Sequence, residues 1–185
     1  MKSRIRILIT GGAGFIGTNM ADHFLKQGWD VSILDNLSRR GSDINLRWLK
    51  RTHQGKVSFI RADVRYDQKT LDRKIAATDA VLHFAAQVAV TTSVADPRTD
   101  FEINALGTFN MLEAARKAPT PPIFLYSSTN KVYGDSHIAF PLVEKPLRWE
   151  CDPAHMYAQF GIDETMTIDN SKHSILGASK VAADV

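Results

Sequence analysis

The chain has 185 residues, of which 44% are hydrophobic and 23% charged, and its formal net charge at pH 7 is +3. This length suits one domain with its own core, and the composition is that of an ordinary globular protein. No Lys/Arg-rich block accompanies the small positive charge, which argues against a nucleic-acid partner. The single cysteine, Cys151, excludes a disulfide within the chain and favours a cytoplasmic location with a structural role for the thiol.

The N-terminal segment MKSRIRILIT leads directly into a predicted strand, without the apolar region or cleavage site of a signal peptide. No apolar run approaches the ~20 residues that a transmembrane helix requires. We therefore expect no membrane association, and we predict no metal site.

Strands and helices alternate along the chain. Predicted strands cover residues 4–10, 31–34, 57–62, 80–84 and 123–126, and predicted helices cover 14–27, 43–53, 69–76 and 96–117. Gly28 follows the first helix where a terminating glycine belongs, and Asp96-Pro97 is a strong helix start. The alternation predicts an α/β fold, a Rossmann-type doubly wound parallel sheet of about five strands in the order 3-2-1-4-5.

Residues 134–173 differ from the rest of the chain because they combine three prolines, mixed charges and little periodicity. They are predicted to form a long surface excursion, with or without a short helical piece. Helical spacing resumes from Ser174 to Val185. We assign residues 1–185 to a single domain.

A glycine turn joins the first strand to the first helix. Gly11, Gly14 and Gly17 follow the pattern G-x-x-G-x-x-G. Such glycines let the backbone bend and approach a pyrophosphate, which the free amides at the helix N terminus then hold. A glycine pattern alone is weak evidence, but its position between a strand and a helix strengthens it. The turn predicts a dinucleotide site.

Asp35 closes the second strand. A carboxylate there can accept hydrogen bonds from both ribose hydroxyls and would repel a 2′-phosphate, so it predicts NAD rather than NADP. Arg39 and Arg40 lie just beyond and could accommodate a phosphate, which leaves NADP open.

Six segments occur in order along the chain: TGGAGFIG, DNLSRRGSDINLRWL, HFAAQVAVTTS, DFEINALGTFNMLEAAR, SSTNKVYGD and SILGASK. Together they resemble the extended short-chain dehydrogenase/reductases, the NAD-dependent epimerase/dehydratase family, and most closely its 2-epimerases of the CDP-paratose/CDP-tyvelose type. The resemblance implies a nucleotide-sugar substrate, with a CDP-hexose favoured, and a homodimer of the full-length protein.

The resemblance also implies residue roles. Asp63 and Val64 would flank the adenine, and Asn104 would support the active-site strands. Ser127, Ser128 and Thr129 would lie beside the nicotinamide and the sugar. The full predicted cofactor-binding set is Gly11, Gly14, Phe15, Ile16, Gly17, Asp35, Asn36, Ser38, Asp63, Val64, Ala85, Ala86, Gln87, Asn104, Ser127 and Lys180.

The predicted catalytic residues are Thr129 and Lys180. Family members pair the lysine with a tyrosine four residues earlier, which takes the hydroxyl proton, but here that position is Leu176. Tyr157 folding back, Lys180 acting alone, or a base from residues that the chain lacks could supply the function.

Relatives also carry a C-terminal substrate-binding part, so we interpret the chain as an N-terminal portion. Two hypotheses follow: a nucleotide-sugar epimerase, or an NAD-binding module without catalysis. A nucleotide-sugar 4,6-dehydratase or reductase is a further alternative.

Overall fold

The computed structural model describes residues 4–185, so residues 1–3 of the segment in which we expect no signal peptide lie outside the described residues. Its strands are β1 (Arg6–Thr10), β2 (Asp30–Asp35), β3 (Ser58–Arg61), β4 (Ala80–His83), β5 (Ile123–Tyr126), β6 (Leu142–Lys145) and β7 (Arg148–Cys151). Its α-helices are α1 (Phe15–Lys26), α2 (Ser42–Thr52), α3 (Gln68–Ile75), α4 (Val90–Ala95), α5 (Pro97–Phe101), α6 (Gly107–Lys117) and α7 (Ile175–Asp184).

The first five strands form one parallel sheet in the order β3-β2-β1-β4-β5, which confirms the predicted topology. At its centre, Ile9 of β1 lies between Ile33 of β2 and Leu82 of β4. Leu8 and Ile9 are adjacent in β1 but belong to two different buried clusters. Because successive side chains of a strand point to opposite faces, the sheet has an apolar core on each side.

The predicted helix signals correspond to observed helix ends. Gly28 adopts a φ of +81° just after α1, as a terminating glycine does. The Asp96 side chain accepts a hydrogen bond from the Thr99 amide at 3.1 Å, and Pro97 occupies the first turn of α5. Within residues 4–185, no helix is long and apolar enough to cross a membrane.

The structure differs from the helix predicted over residues 96–117, and it has one more helix before it. The predicted helix consists of α5, a π-helical segment (Glu102–Leu106) and α6 in direct succession. The short helix α4 precedes it and was not predicted, because its sequence VTTSVA is rich in β-branched residues, which are weak helix formers.

Residues 134–173 contain more regular structure than the sequence predicted. β6 and β7 form an antiparallel hairpin in which Leu142 lies opposite Cys151, and a 3₁₀ helix (Ser136–Ala139) precedes it. The side chains of Leu147 and Phe160 are exposed, as expected for a surface excursion. The excursion is therefore partly ordered by its own local pairing.

Candidate functional site

A cavity of about 500 Å³ is lined by residues at the carboxyl ends of all five parallel strands. Open α/β sheets bind ligands at this edge. The predicted site residues that line it are Gly11, Gly14, Phe15, Ile16, Gly17, Asp35, Asn36, Ser38, Asp63, Val64, Ala85, Ala86, Gln87, Ser127, Thr129 and Lys180. Asn104 is the exception: it is 1% exposed and lies outside this lining.

The glycine turn is closely packed against the neighbouring backbone. Gly11 adopts a φ of +62°, and a Cβ there would lie 2.7 Å from the Phe84 carbonyl oxygen. A Cβ on Gly17 would overlap the Gly11 carbonyl oxygen and lie 2.7 Å from the Gly12 Cα. Gly14 is the N-cap of α1, and no side chain of the described part of the chain caps this helix end. The first amides of α1 can therefore hold an anion, which the helix dipole also favours.

Asp35 is fixed by the backbone around it. Its Oδ2 accepts a hydrogen bond from the Ala13 amide at 3.1 Å, and its Oδ1 accepts one from the Leu37 amide at 2.8 Å. A carboxylate offers about four acceptor positions. Two positions thus remain for a diol in the cavity.

Asp63 is held by Arg65, a residue that the sequence interpretation missed. Arg65 Nε donates to Oδ1 at 3.0 Å and Nη2 to Oδ2 at 2.9 Å, while Asn36 Nδ2 donates to Oδ2 at 2.8 Å. Burial raises the pKa of Asp63, but these hydrogen bonds outweigh burial and lower the pKa to about 2. The sequence did contain a signal for this ion pair, because Asp63 and Arg65 are only two residues apart in the segment ADVR. Asp63 and Asn36 are thus joined by a hydrogen bond at the edge of the cavity.

Replacing Asp63 with asparagine should destabilise the protein at neutral pH. The folded pKa of about 2, against an ordinary 3.8, corresponds to about 2 kcal/mol. This contribution is complete above pH 3.8 and is lost as the pH falls through about 2. Urea unfolding should give a lower free energy of unfolding for Asp63→Asn than for wild type at neutral pH. This difference should become smaller at about pH 3.

The control for this change is Asp43→Asn, which removes an exposed acid that pairs with Arg47. Its effect should stay below about 1 kcal/mol. If the difference in free energy of unfolding between wild type and Asp63→Asn did not change with pH, the lowered pKa of Asp63 would be contradicted.

A buried chain of hydrogen bonds supports the cavity below the end of β4. Thr10 Oγ1 lies 2.6 Å from His83 Nδ1, and His83 Nε2 lies 3.1 Å from Thr108 Oγ1. The Thr108 hydroxyl donates to the Asn104 carbonyl at 2.6 Å, so His83 Nε2 donates and Nδ1 accepts. Burial lowers the pKa of His83 to about 3, which keeps the ring neutral. Thr10 Oγ1 also accepts from the Ala85 amide at 3.1 Å and so fixes the loop after β4.

Lys180 is buried on α7. Its Nζ donates to the Ser127 carbonyl oxygen at 3.0 Å and lies 4.7 Å from the centre of the Tyr126 ring. Burial lowers the pKa of Lys180. Thr129 and Leu176 line the same cavity, so the structure brings together the two predicted catalytic residues and the leucine at the tyrosine position.

Tyr133 and Tyr157 follow β5 in the chain, and neither replaces the tyrosine that family members carry at the position of Leu176. The Tyr133 hydroxyl donates to the Asp163 carbonyl at 3.1 Å. The Tyr157 ring stacks on Phe140 with a centroid distance of 5.4 Å. Neither tyrosine lines the cavity, so the hypothesis that Tyr157 folds back into the site finds no support in this arrangement.

Comparison with known proteins gives consistent matches. A family described as GDP-mannose 4,6 dehydratase matches residues 8–159. The chain is 42% identical to the CDP-paratose 2-epimerase of Salmonella typhi over 182 residues, which cover 97% of this chain and 51% of that protein.

Two solved structures place the same fold beside bound NAD. The UDP-glucose 4-epimerase of Thermus thermophilus matches with a TM-score of 0.70 and 32% identity, over 97% of this chain and 49% of that one. The dTDP-glucose 4,6-dehydratase of Streptomyces venezuelae matches with a TM-score of 0.69 and 28% identity, over 97% and 49%.

The chain thus spans about half the length of these relatives. The family match begins within β1 and includes the glycine turn, Asp35, Asp63 and the hydroxyl residues after β5. The chain therefore belongs to the NAD-dependent epimerase/dehydratase family.

Proposed function

We propose that the protein uses NAD to epimerise a carbon of a nucleotide-linked sugar. One observation carries the proposal: a single cavity brings the glycine turn and Asp35 together with Ser127, Thr129 and Lys180. A phosphate-binding turn combined with hydroxyl and amine groups suits a cofactor and an alcohol substrate bound side by side.

The residues present fit NAD. Its pyrophosphate would rest against the glycine turn and the first amides of α1, and its adenosine ribose would use the two free acceptor positions of Asp35. The Asp35 charge disfavours a 2′-phosphate, which favours NAD over NADP although Arg39 also lines the cavity. The adenine end would contact Asn36, Ser38, Asp63 and Val64, and the nicotinamide end would contact Ala85, Ala86, Gln87 and Ser127.

When bound at this site, NAD would supply reversible hydride transfer with the sugar carbon. Thr129 would hydrogen-bond to the reacting oxygen. Among the described residues that line the cavity, Lys180 is the only titratable group from α7 or the segment after β5. Burial lowers the pKa of Lys180, which eases loss of its ammonium proton, and the amine formed in this way could take the hydroxyl proton as the C–H bond breaks. Lys180 would return this proton to the carbonyl oxygen, and hydride addition to the opposite face of the carbonyl carbon would invert that centre.

A second candidate function is NAD binding without catalysis. Leu176 favours it, because an aliphatic side chain cannot transfer a proton. A third is dehydration or reduction, since relatives include a 4,6-dehydratase.

For the proposed epimerase, the Salmonella typhi relative favours a CDP-hexose as the substrate and inversion at the sugar C2.

We also propose that the full-length protein forms a homodimer through the long helix of residues 97–117. Phe101, Leu106, Phe109 and Leu112 are exposed along it. Several large apolar side chains exposed on one helix are more than scattered surface residues and favour a protein interface, and sedimentation velocity tests it.

The function is tested with CDP-, UDP- and dTDP-hexoses that carry deuterium at the reacting carbon. Incubation with the protein and NAD should give an epimer, seen by NMR, that keeps the deuterium, because the same hydride leaves and returns. A dehydrated keto sugar would identify a dehydratase instead. Bound NAD without any product would favour the binding module, and a protein that binds no NAD would end both proposals.

A further inference from the structure

A closed ring of hydrogen bonds lies beside Lys180, and Gln87 is the member of the ring that also lines the cavity. Asp100 Oδ2 accepts from Ser179 Oγ at 2.6 Å, and Oδ1 accepts from Gln87 Nε2 at 3.1 Å. Asn104 Nδ2 donates to Ser179 Oγ at 3.0 Å, and its Oδ1 accepts from the Gln87 amide at 2.9 Å. Asp100, Asn104 and Ser179 are each at most 1% exposed.

The unusual member of this ring is Asp100. Its two donors are a hydroxyl and a side-chain amide, both neutral, although a buried carboxylate is unfavourable unless its oxygens are well satisfied. The ring connects four elements: Asp100 lies on α5, Asn104 on the π-helical segment, Ser179 on α7, and Gln87 in the loop after β4. Gln87 lines the cavity and Ser179 directly precedes Lys180, so the ring joins two sides of the site.

We propose that Asp100 is a positioning residue: through Ser179 and Gln87 it holds α7 and the loop after β4 in one fixed arrangement around the nicotinamide half of the cofactor. The proposal rests on the proposed function only in taking NAD to be bound with its nicotinamide beside Gln87 and Lys180. Asp100 also acts on Lys180 through space. Its charge and that of Asp184 raise the pKa of Lys180, against the larger effect of burial.

The experiment compares NAD with ADP, which contains only the adenine half, by isothermal titration calorimetry. Asp100→Asn removes the charge and replaces one of the two acceptors that Asp100 offers the ring with a donor. Ser179→Ala breaks the same ring without changing charge, and it carries the test if Asp100→Asn does not fold. The matched control is Asp96→Asn, the same chemical change at the N-cap of α5, where asparagine caps equally well.

Asp100→Asn and Ser179→Ala should each weaken NAD binding about tenfold or more, because each loses about one hydrogen bond of a charged network. ADP affinity should stay within about twofold, and Asp96→Asn should change neither ligand. An NAD loss below about fivefold in both variants, or an equal loss for ADP, would overturn the role of Asp100. A wild-type protein that binds ADP but not NAD, or neither, would overturn the proposed function together with this one.

Discussion

Replacing Leu176 with tyrosine is expected to raise the rate of NAD-dependent sugar oxidation by about 10²–10⁴-fold, the usual contribution of a positioned acid–base group. Leu176 lines the cavity and lies four residues before Lys180 on α7, so the two side chains share one face of the helix. A phenol there would take the hydroxyl proton, and the adjacent Lys180 charge would lower the phenol's pKa. NMR of the sugar product measures the gain.

The matched control is Leu176→Phe, which fills the same space with a ring that has no hydroxyl. It should bind NAD like the tyrosine variant and show no gain in rate. Equal gains in the two variants would assign the effect to packing. A wild-type rate as high as that of Leu176→Tyr would show instead that Lys180 alone suffices.

Replacing Gly17 with alanine should lower the stability by about 3 kcal/mol, at the upper end of ordinary overpacking. The added methyl group would meet the Gly11 carbonyl oxygen and the Gly12 Cα, at 2.7 Å for the latter. Both are backbone atoms, so no side chain can rotate away and the turn itself must open. We expect a midpoint of thermal unfolding lower by about 6–12 °C and loss of measurable NAD binding.

Gly14→Ala is the control within the same turn. Its Cβ would lie 3.1 Å from the Gly11 carbonyl oxygen, a contact that a small shift relieves, and Gly14 has a negative φ that alanine adopts freely. Its loss of stability should be below about 1 kcal/mol. Comparable losses for the two variants would show that backbone packing at Gly17 is not the cause.

Local patterns were sufficient to predict the sheet and most of the cavity. Apolar runs marked the five parallel strands because both sheet faces are covered. The polar residues at strand ends, such as Asp35 and Asp63, meet at one edge as parallel topology requires. The β6–β7 hairpin was missed because its strands are short and exposed, and the sequence around Pro146 gives no alternation strong enough to distinguish it from a loop.

Long-range polar partners could not be predicted from the sequence. Asp100 and Ser179 are 79 residues apart, and no periodicity relates positions on two helices of unknown mutual placement. Asn104 was expected in the cofactor-binding set, yet its side chain binds Gln87 and Ser179 behind the cavity. The residues that line the cavity follow from the strand ends, whereas the residues that hold them in place are identified only by the three-dimensional structure.

The π-helical segment allows one continuous helix to place its side chains in both a polar and an apolar environment. In an uninterrupted α-helix each residue turns about 100°, so positions seven apart, such as Asn104 and Met111, point almost the same way. Here Asn104 reaches a polar ring on α7 while Met111 is buried among aliphatic side chains of the sheet. The wider turn at Glu102–Leu106, which contains Asn104, changes the phase of the helix before it reaches Met111. Inserting or deleting a single residue between Asn104 and Met111 would rotate these two side chains by about 100° relative to each other, so they could not both keep their present surroundings.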